Sequence, residues 1–215
     1  MPRKPARKKI HRARLTATER RQTILDAAKD IFLKEGYART TMRRIATQLG
    51  ITPTTLYLHF ADKETLMHAI CQDAMRVLAE GFARVGREAK NSSDAFERFF
   101  DVYMQFGFAH PREYRLLFMS EAPAFVPGHR NRPDKARDPA DQGQQAFGAL
   151  EVLVKRLMDE GIFRKGDPAA TAEAIWASVH GLVSLLITYP DFAWSERSKL
   201  FEAMRGMMRN GFLAK

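Results

Sequence analysis

Cysteine occurs only once in these 215 residues, as Cys71, so the chain cannot form an internal disulfide. No CxxC, HExxH or comparable ligand spacing is present, and the sequence therefore predicts no metal site and no cofactor. No run reaches about 18 uninterrupted apolar residues, the length that a membrane-spanning helix needs. A secretory signal has an apolar stretch after its basic start, and the basic start of this sequence is not followed by one. These absences predict a soluble cytoplasmic protein without a membrane partner.

The groups that catalysis requires are also missing. No nucleophile stands beside a base, and no paired acid or phosphate-binding loop is recognisable, so the sequence predicts that the protein is not an enzyme and has no catalytic residues. His68 and Cys71 lie three residues apart on one predicted helix. A redox or soft-metal sensor built on Cys71 is therefore an alternative function.

The net positive charge lies in the first part of the chain. Residues 1–63 contain 15 basic and 5 acidic side chains, whereas residues 64–215 contain 20 of each, so the first segment carries the whole net charge of +10. Such asymmetry is typical of a domain that binds a polyanion. Residues 1–14 hold seven of these cations and no acid. We predict a disordered basic arm that lies along phosphates or in a minor groove; a solvated tail is the alternative.

Residues 40–60, TTMRRIATQLGITPTTLYLHF, predict two short helices joined at a glycine. Apolar residues recur at helical spacing from Met42 to Leu49, after a threonine pair that can cap the helix. Gly50 then ends that helix by adopting positive φ, and Thr52-Pro53 reads as a new cap followed by proline at the first helical position. The second helix, Pro53 to Phe60, therefore begins at once.

The second helix has one apolar face and one polar face. Leu56 and Phe60 stand four residues apart and can point inward, which leaves four side chains pointing away from the core: Thr54, Thr55, Tyr57 and His59. Hydroxyl, phenol and imidazole groups can reach phosphate oxygens or base edges in a major groove of double-stranded DNA. The alternatives are a helical hairpin with no nucleic-acid role and an architectural protein that binds DNA without sequence preference.

The remaining pattern is helical throughout, and it predicts an all-α fold. A first helix runs from Thr18 to near Gly36 and a long one from the Asp62 cap to about Glu88. Further helices are predicted from Asp94 to about Ala109, from Glu113 to Ser120, and over residues 140–160, 169–188 and 196–213, with a loop at 121–139. We predict a DNA-binding domain at residues 15–63 and a ligand-binding and dimerisation domain at 64–215.

Two helices near the end of the chain predict a homodimer. The helix at residues 169–188 is apolar on nearly every face, and residues 196–213 carry a second apolar stripe. One protomer buries such surfaces with difficulty, so together they predict a four-helix bundle across a two-fold axis. The alternative is that both stripes belong to the internal core.

Residues 18–64, and above all TTMRRIATQLGITPTTLYLHFADKETL, resemble the DNA-binding domain of the TetR (tetracycline repressor-like) family of bacterial transcriptional regulators. Trp176 with His180-Gly181 also resembles the W…HG signature of one type of C-terminal domain in that family. This resemblance implies a homodimeric helix-turn-helix repressor that binds an inverted-repeat operator and releases it when a small-molecule effector binds. It also implies a protein found at the bacterial nucleoid when bound to its operator.

The resemblance assigns roles to particular side chains. It makes residues 52–59 the recognition helix and implies a set of DNA contacts: Thr40, Thr41, Arg43, Arg44, Thr52, Pro53, Thr54, Thr55, Tyr57, His59 and Lys63. Arg44 stands where the family often has an acid, which predicts a stronger grip on phosphate. For the effector, we predict a mostly apolar pocket with a few polar tips. Its candidate residues are Tyr103, Phe106, Phe118, Trp176 and His180.

Overall fold

The computed structural model describes residues 16–120 and 141–212, and these ranges contain nine α-helices and no strand. The helices are α1 (Ala17–Glu35), α2 (Met42–Leu49), α3 (Pro53–Tyr57), α4 (Lys63–Glu88), α5 (Ser92–Ala109), α6 (Pro111–Phe118), α7 (Gln142–Asp159), α8 (Pro168–Thr188) and α9 (Arg197–Phe212). The predicted all-α fold is confirmed. The predicted basic arm, the loop at 121–139 and the last residue of the predicted final helix lie outside the described ranges.

The first three helices pack around one small core. The apolar stripe of α1, from Ile24 to Phe32, is buried as its spacing predicted, and Ile45 of α2 and Leu56 of α3 belong to the same buried cluster. Gly50 has φ 64° and ψ 31°, the left-handed conformation that ends α2, and the Thr52 side chain caps α3 ahead of Pro53. The hinge predicted from the sequence is therefore present.

Several predicted boundaries need correction. α1 begins at Ala17 rather than Thr18, because Thr16 and Glu19 form a reciprocal capping box. α3 ends at Tyr57 rather than at His59 or Phe60, because the His59 N–H donates to the Leu56 carbonyl three residues earlier and tightens the turn. The recognition helix is therefore a single five-residue segment.

The helices of the larger domain start where a side chain caps them. Asn91 caps α5, which begins at Ser92, two residues ahead of the predicted start. α6 begins at Pro111 rather than at Glu113, since the N–H that proline lacks has no partner in the first turn of a helix. Asp141 and Asp167 cap α7 and α8. α4, α5, α7 and α8 pack against one another around a common apolar interior.

α8 crosses this interior with one face turned inward and one turned out. Its buried residues are Ala172, Ile175, Val179, Val183, Leu186 and Ile187. It is long and apolar enough to cross a membrane by length and composition alone, and it packs against α5 and α7. α9 lies outside, with Met208 as its one buried residue, and is tied to α5 by ion pairs from Arg205 to Asp101 and from Arg209 to Glu97, each 2.6 Å long.

Candidate DNA interface and candidate ligand pocket

The outer side of α3 presents the side chains that the sequence singled out. Tyr57 is 51% exposed, and its hydroxyl makes no hydrogen bond to any residue in the described ranges. Thr54 is exposed beside it, whereas Thr55 and His59 are half-buried. Leu58, which sequence reasoning missed, is 81% exposed next to Tyr57. An apolar side chain in that position can contact a thymine methyl group.

Two threonines of the candidate interface also hold its backbone in shape. The Thr41 hydroxyl oxygen accepts the Arg44 N–H at 3.1 Å and caps α2. The Thr52 oxygen accepts the Thr55 N–H at 3.2 Å and lies 2.9 Å from the Thr55 hydroxyl. Both caps satisfy N–H groups that would otherwise lack partners at the helix starts. The Thr52 and Thr55 side chains are thus partly engaged with each other.

Thr40 was predicted to contact DNA, but its side chain is buried. Its side chain is 1% exposed, and its hydroxyl donates to the Gly36 carbonyl at 2.7 Å. The first residue of the threonine pair therefore faces the core and fixes the turn between α1 and α2, while Thr41 remains exposed. Spacing alone could not distinguish these two neighbours.

Lys63 makes contacts inside the domain that were not predicted. Its ammonium group donates to the carbonyl oxygens of Tyr37 at 2.8 Å and Thr40 at 2.9 Å, and it lies 4.2 Å from the centre of the Tyr37 ring. Two of its three N–H donors are therefore occupied. Lys63 ties the start of α4 to the turn before α2, with one donor left for a phosphate.

The two arginines of α2 differ in their surroundings. Arg44 forms a two-pronged ion pair with Glu35, with its Nη2 atom 2.6 Å and its Nε atom 3.0 Å from Oε1. Hydrogen bonding to Arg44 lowers the pKa of Glu35 below its usual value, so the pair stays ionised and its net charge is zero. Arg43 is exposed and makes no ion pair within the described part of the chain. The stronger phosphate binding that was predicted from Arg44 is thus offset by the negative charge of Glu35. Of these two arginines, Arg43 carries the uncompensated charge.

An apolar cavity lies between α4, α5, α7 and α8. Three of the five predicted pocket residues line it: Tyr103, Phe118 and Trp176. The sequence did not single out the other lining residues, Met75, Leu78, Phe82, Phe96, Phe99, Phe100, Gly143, Ala146, Phe147, Leu150, Ile175 and Val179. These lie on helix faces whose apolar spacing identifies a core but does not show which part of the core is hollow.

A hydrogen-bonded cluster adjoins the cavity through Tyr103 and Trp176. The Trp176 indole donates to the Tyr103 hydroxyl at 3.1 Å, and the hydroxyls of Tyr103 and Tyr114 lie 3.2 Å apart. Tyr114 is fully buried, and its oxygen lies 2.6 Å from His180 Nδ1. His180 therefore touches the cavity wall through its tyrosine partners and is not itself a lining residue.

Burial keeps this cluster uncharged at neutral pH. It raises the pKa of Tyr103 to about 12 and the pKa of Tyr114 further, and it lowers the pKa of His180 below its usual value. The hydrogen bond between the Tyr114 hydroxyl and His180 Nδ1 therefore joins two neutral groups, and the imidazole tautomer decides which of them donates. The polar groups beside the cavity are thus neutral donors and acceptors.

Phe106 was predicted in the pocket but lies elsewhere. It is buried beside a separate cleft between α1, α4, α5 and α6, which is lined by Gln22, Leu25, Lys29, Ile70, Asp73, Ala74, Val77, Phe106, His110 and Glu113. This cleft lies where the first domain meets the second. Lys29 on α1 crosses it to pair with Glu113 on α6 at 3.3 Å, and Arg112 pairs with Asp30 nearby.

Cys71 does not have the surroundings of a sensor. Its side chain is 1% exposed, and burial raises the pKa of the thiol to about 12, so almost no reactive thiolate forms at neutral pH. His68, three residues earlier on α4, is exposed, whereas Cys71 is buried. The structure therefore offers no support for a redox or soft-metal sensor at this position.

Comparisons with known proteins agree for both domains. Residues 24–70 match the family described as bacterial regulatory proteins, tetR family, and residues 96–208 match the tetracyclin repressor-like C-terminal domain. An HTH-type transcriptional regulator of Staphylococcus aureus is 32% identical over 97 residues, which are 45% of this chain and 52% of that protein. The chain thus spans about half the length of the curated relatives it matches.

Solved structures share the whole fold at low sequence identity. The TetR family regulator PfmR from Thermus thermophilus has a TM-score of 0.66 and 20% identity, covering 94% of this chain and all of that one. A complex of SmeT with triclosan has a TM-score of 0.67 and 20% identity, covering 91% of this chain and 92% of that one. At these identities the likeness concerns the fold alone.

Proposed function

The chain belongs to the TetR family of bacterial transcriptional regulators, and on that premise we propose that it is a repressor that releases an inverted-repeat operator when a small molecule occupies its larger domain. Members of this family are DNA-binding transcription regulators and not enzymes. The observation that carries the proposal is the outward face of α3, where Tyr57 and Thr54 are exposed on a hinge held by two caps.

We assign base reading to α3 and backbone holding to the residues around it. Thr54, Thr55, Tyr57 and His59 stand on α3 and in the turn after it, with Leu58 as an added apolar contact. Thr41, Arg43 and the third donor of Lys63 surround that segment and suit phosphate oxygens, since contacts of this kind position a protein without reading sequence. Arg44 contacts a phosphate only where that phosphate replaces Glu35 as its partner.

The homodimer is supported by the outward faces of α8 and α9. On α8, Ala174, Ala177 and Leu185 are exposed and Gly181 is half-buried, at spacings of three and four residues. Small residues at this spacing let a second helix approach closely. On α9, Met207 is 60% exposed. No other element in the described ranges of the same protomer covers it. Two copies packed through these faces form a four-helix bundle.

Dimerisation sets the distance between the two half-sites of the operator. Two α3 segments related by a two-fold axis reach successive major grooves on one face of B-DNA when they lie about 34–36 Å apart. An effector that favours another spacing weakens operator binding by its coupling free energy, typically about 1–3 kcal/mol. The ligand named in the SmeT complex supports a small-molecule site in this fold.

α6 is suited to carry the effector signal between the domains. On one side of this helix, Tyr114 is hydrogen-bonded to His180 and Phe118 lines the cavity. On the other side, Arg112 and Glu113 form ion pairs with α1. A ligand that displaces Phe118 or Tyr114 therefore shifts the same rigid segment that braces α1. The two sites share one element whose position each can bias.

Glu113→Gln is expected to weaken operator binding about three- to tenfold, because the neutral amide loses the ion pair that holds α1 against α6. The side chains of Lys29 and Glu113 are only about one-fifth exposed, so solvent screens this pair less than a surface pair. The measurement is fluorescence anisotropy with labelled operator. Glu80→Gln removes an exposed pair within α4 and serves as the control. Equal affinities for the two variants would exclude a bracing role.

The proposed function is tested on the DNA next to the coding frame. Purified protein is expected to retard a fragment that contains an inverted repeat and to ignore a scrambled fragment of the same composition at moderate salt. Transcription from that promoter should rise when the gene is deleted. Equal binding to both fragments would support the architectural alternative and contradict the proposal.

A further inference from the structure

The cavity between α4, α5, α7 and α8 has walls of one chemical kind. Apart from the polar tips of Tyr103 and Trp176, its lining side chains in the described ranges are apolar, and none carries a charge. Aromatic rings supply much of the wall, among them Phe82 and Phe99, which stack with centroids 4.3 Å apart. The walls therefore offer dispersion contacts and no counter-charge.

A charged ligand would be disfavoured in such a site. An ion that leaves water for an apolar environment loses its hydration, and without an opposite charge nearby it neutralises or stays outside. The nearby titratable groups do not help, since burial keeps Tyr103, Tyr114 and His180 neutral. The cavity thus selects against both carboxylates and ammonium groups.

One hydrogen-bond donor of the cluster is available to a ligand. The Trp176 N–H is used by Tyr103, and the Tyr114 proton is well placed for His180 Nδ1 at 2.6 Å. The Tyr103 proton has only the longer contacts, 3.2 Å to the Tyr114 oxygen and 3.4 Å to His180. A hydroxyl rotor can turn from such a contact to the oxygen of a ligand in the cavity.

The space also limits ligand size. The empty volume of the cavity is about 650 Å³, which includes the part that is open to solvent. A volume of this order is typical of sites that hold a small molecule.

We propose that the effector is an uncharged, mainly apolar molecule that inserts its apolar part between α4, α5, α7 and α8 and accepts one hydrogen bond from the Tyr103 hydroxyl. This inference rests on the proposed ligand-responsive function and adds the chemical class of the ligand. Alcohols, ketones, esters and phenols belong to this class. Fully ionised acids and amines do not.

Three probes with one chain length separate charge from shape: 1-octanol, octanoate and octylammonium at pH 7. Trp176 reports binding by fluorescence in the full chain carrying Trp194→Phe, which leaves it as the sole tryptophan, and calorimetry on the unmodified chain gives the stoichiometry. We expect 1-octanol to bind once per protomer and at least about a hundredfold more tightly than either ion. Comparable binding of octanoate or octylammonium, or no binding of any probe up to its solubility limit, would overturn the proposed class.

The role of Tyr103 is tested separately. Tyr103→Phe is expected to weaken 1-octanol binding about three- to tenfold, as the loss of one neutral hydrogen bond does. Tyr189→Phe changes a tyrosine that is 57% exposed outside the cavity and should leave binding unchanged. Equal affinities for the two variants would remove the hydrogen bond from the proposal. Promoter binding is measured in the same preparations: its absence would refute the proposed function, whereas promoter binding with the wrong probe preference would refute only the ligand class.

Discussion

Replacing Tyr57 with alanine is expected to lower operator affinity at least about 30-fold while leaving the fold intact. The side chain is 51% exposed and makes no hydrogen bond within the described ranges, so its removal takes nothing from the core. A lost base contact costs about 1–3 kcal/mol, and a symmetric dimer loses it twice, which gives about 2–6 kcal/mol in total. Fluorescence anisotropy with operator and with scrambled duplex measures this change, and circular dichroism checks the fold.

Arg43→Ala provides the contrast for Tyr57→Ala. The exposed guanidinium carries charge without a partner in the described part of the chain, so its loss should weaken binding to operator and scrambled duplex alike. The slope of affinity against salt should also become less steep by about one phosphate contact per protomer. Tyr57→Ala should leave that slope unchanged. If both variants affect the two duplexes equally, the division between base reading and backbone holding is wrong.

Replacing Gly107 with alanine is expected to destabilise the larger domain by about 1–3 kcal/mol or more. A methyl group at this position in α5 would overlap Cγ1 of Val183, a fully buried residue of α8, and would touch the Tyr114 ring at 3.4 Å. Overfilling a packed interior forces side chains off their preferred rotamers and moves the backbone. Urea unfolding measures the free energy, and effector affinity should fall as well, because Tyr114 belongs to the pocket cluster.

Gly86→Ala is the matched control for Gly107→Ala. It also adds a methyl group within a helix, but nothing lies within 4 Å of the new atom and the position is exposed. A helix-interior glycine changed to alanine should be neutral or stabilising by up to about 1 kcal/mol. Unchanged stability of Gly107→Ala beside this control would contradict the close approach of α5 and α8.

Local chemistry made the helix-turn-helix predictable. Gly50 and Thr52-Pro53 act within a few residues, since positive φ, a side-chain cap and a first-turn proline depend only on adjacent backbone. The burial of Leu56 and Phe60 follows from the same register. The structure therefore agrees with the sequence most closely in this segment.

Contacts between distant residues were not predictable. Lys63 binds the carbonyl oxygens of Tyr37 and Thr40 because α4 returns to the turn before α2, and Arg44 meets Glu35 between α2 and α1. Each residue type was compatible with DNA binding. Its actual partner depends on tertiary packing that one sequence does not reveal.

The pocket was predictable only in part for a similar reason. Tyr103 and Phe106 are both buried on α5, yet one lines the cavity and the other the cleft at the domain boundary. α5 is apolar over much of its circumference, so its spacing does not distinguish the sides that face different neighbours. The walls from α4 and α7 depend on how these helices approach each other.

Footprinting of the operator by hydroxyl radicals tests the central claim most directly, namely that two copies of α3 read two major grooves through Tyr57 and its neighbours. The account predicts two protected patches on one face of the duplex, symmetric about the centre of an inverted repeat and one helical turn or a multiple of it apart. Tyr57→Ala should abolish both patches at protein concentrations that protect fully in the wild type. A single patch, uniform protection along the fragment, or a wild-type footprint from the variant would contradict the account.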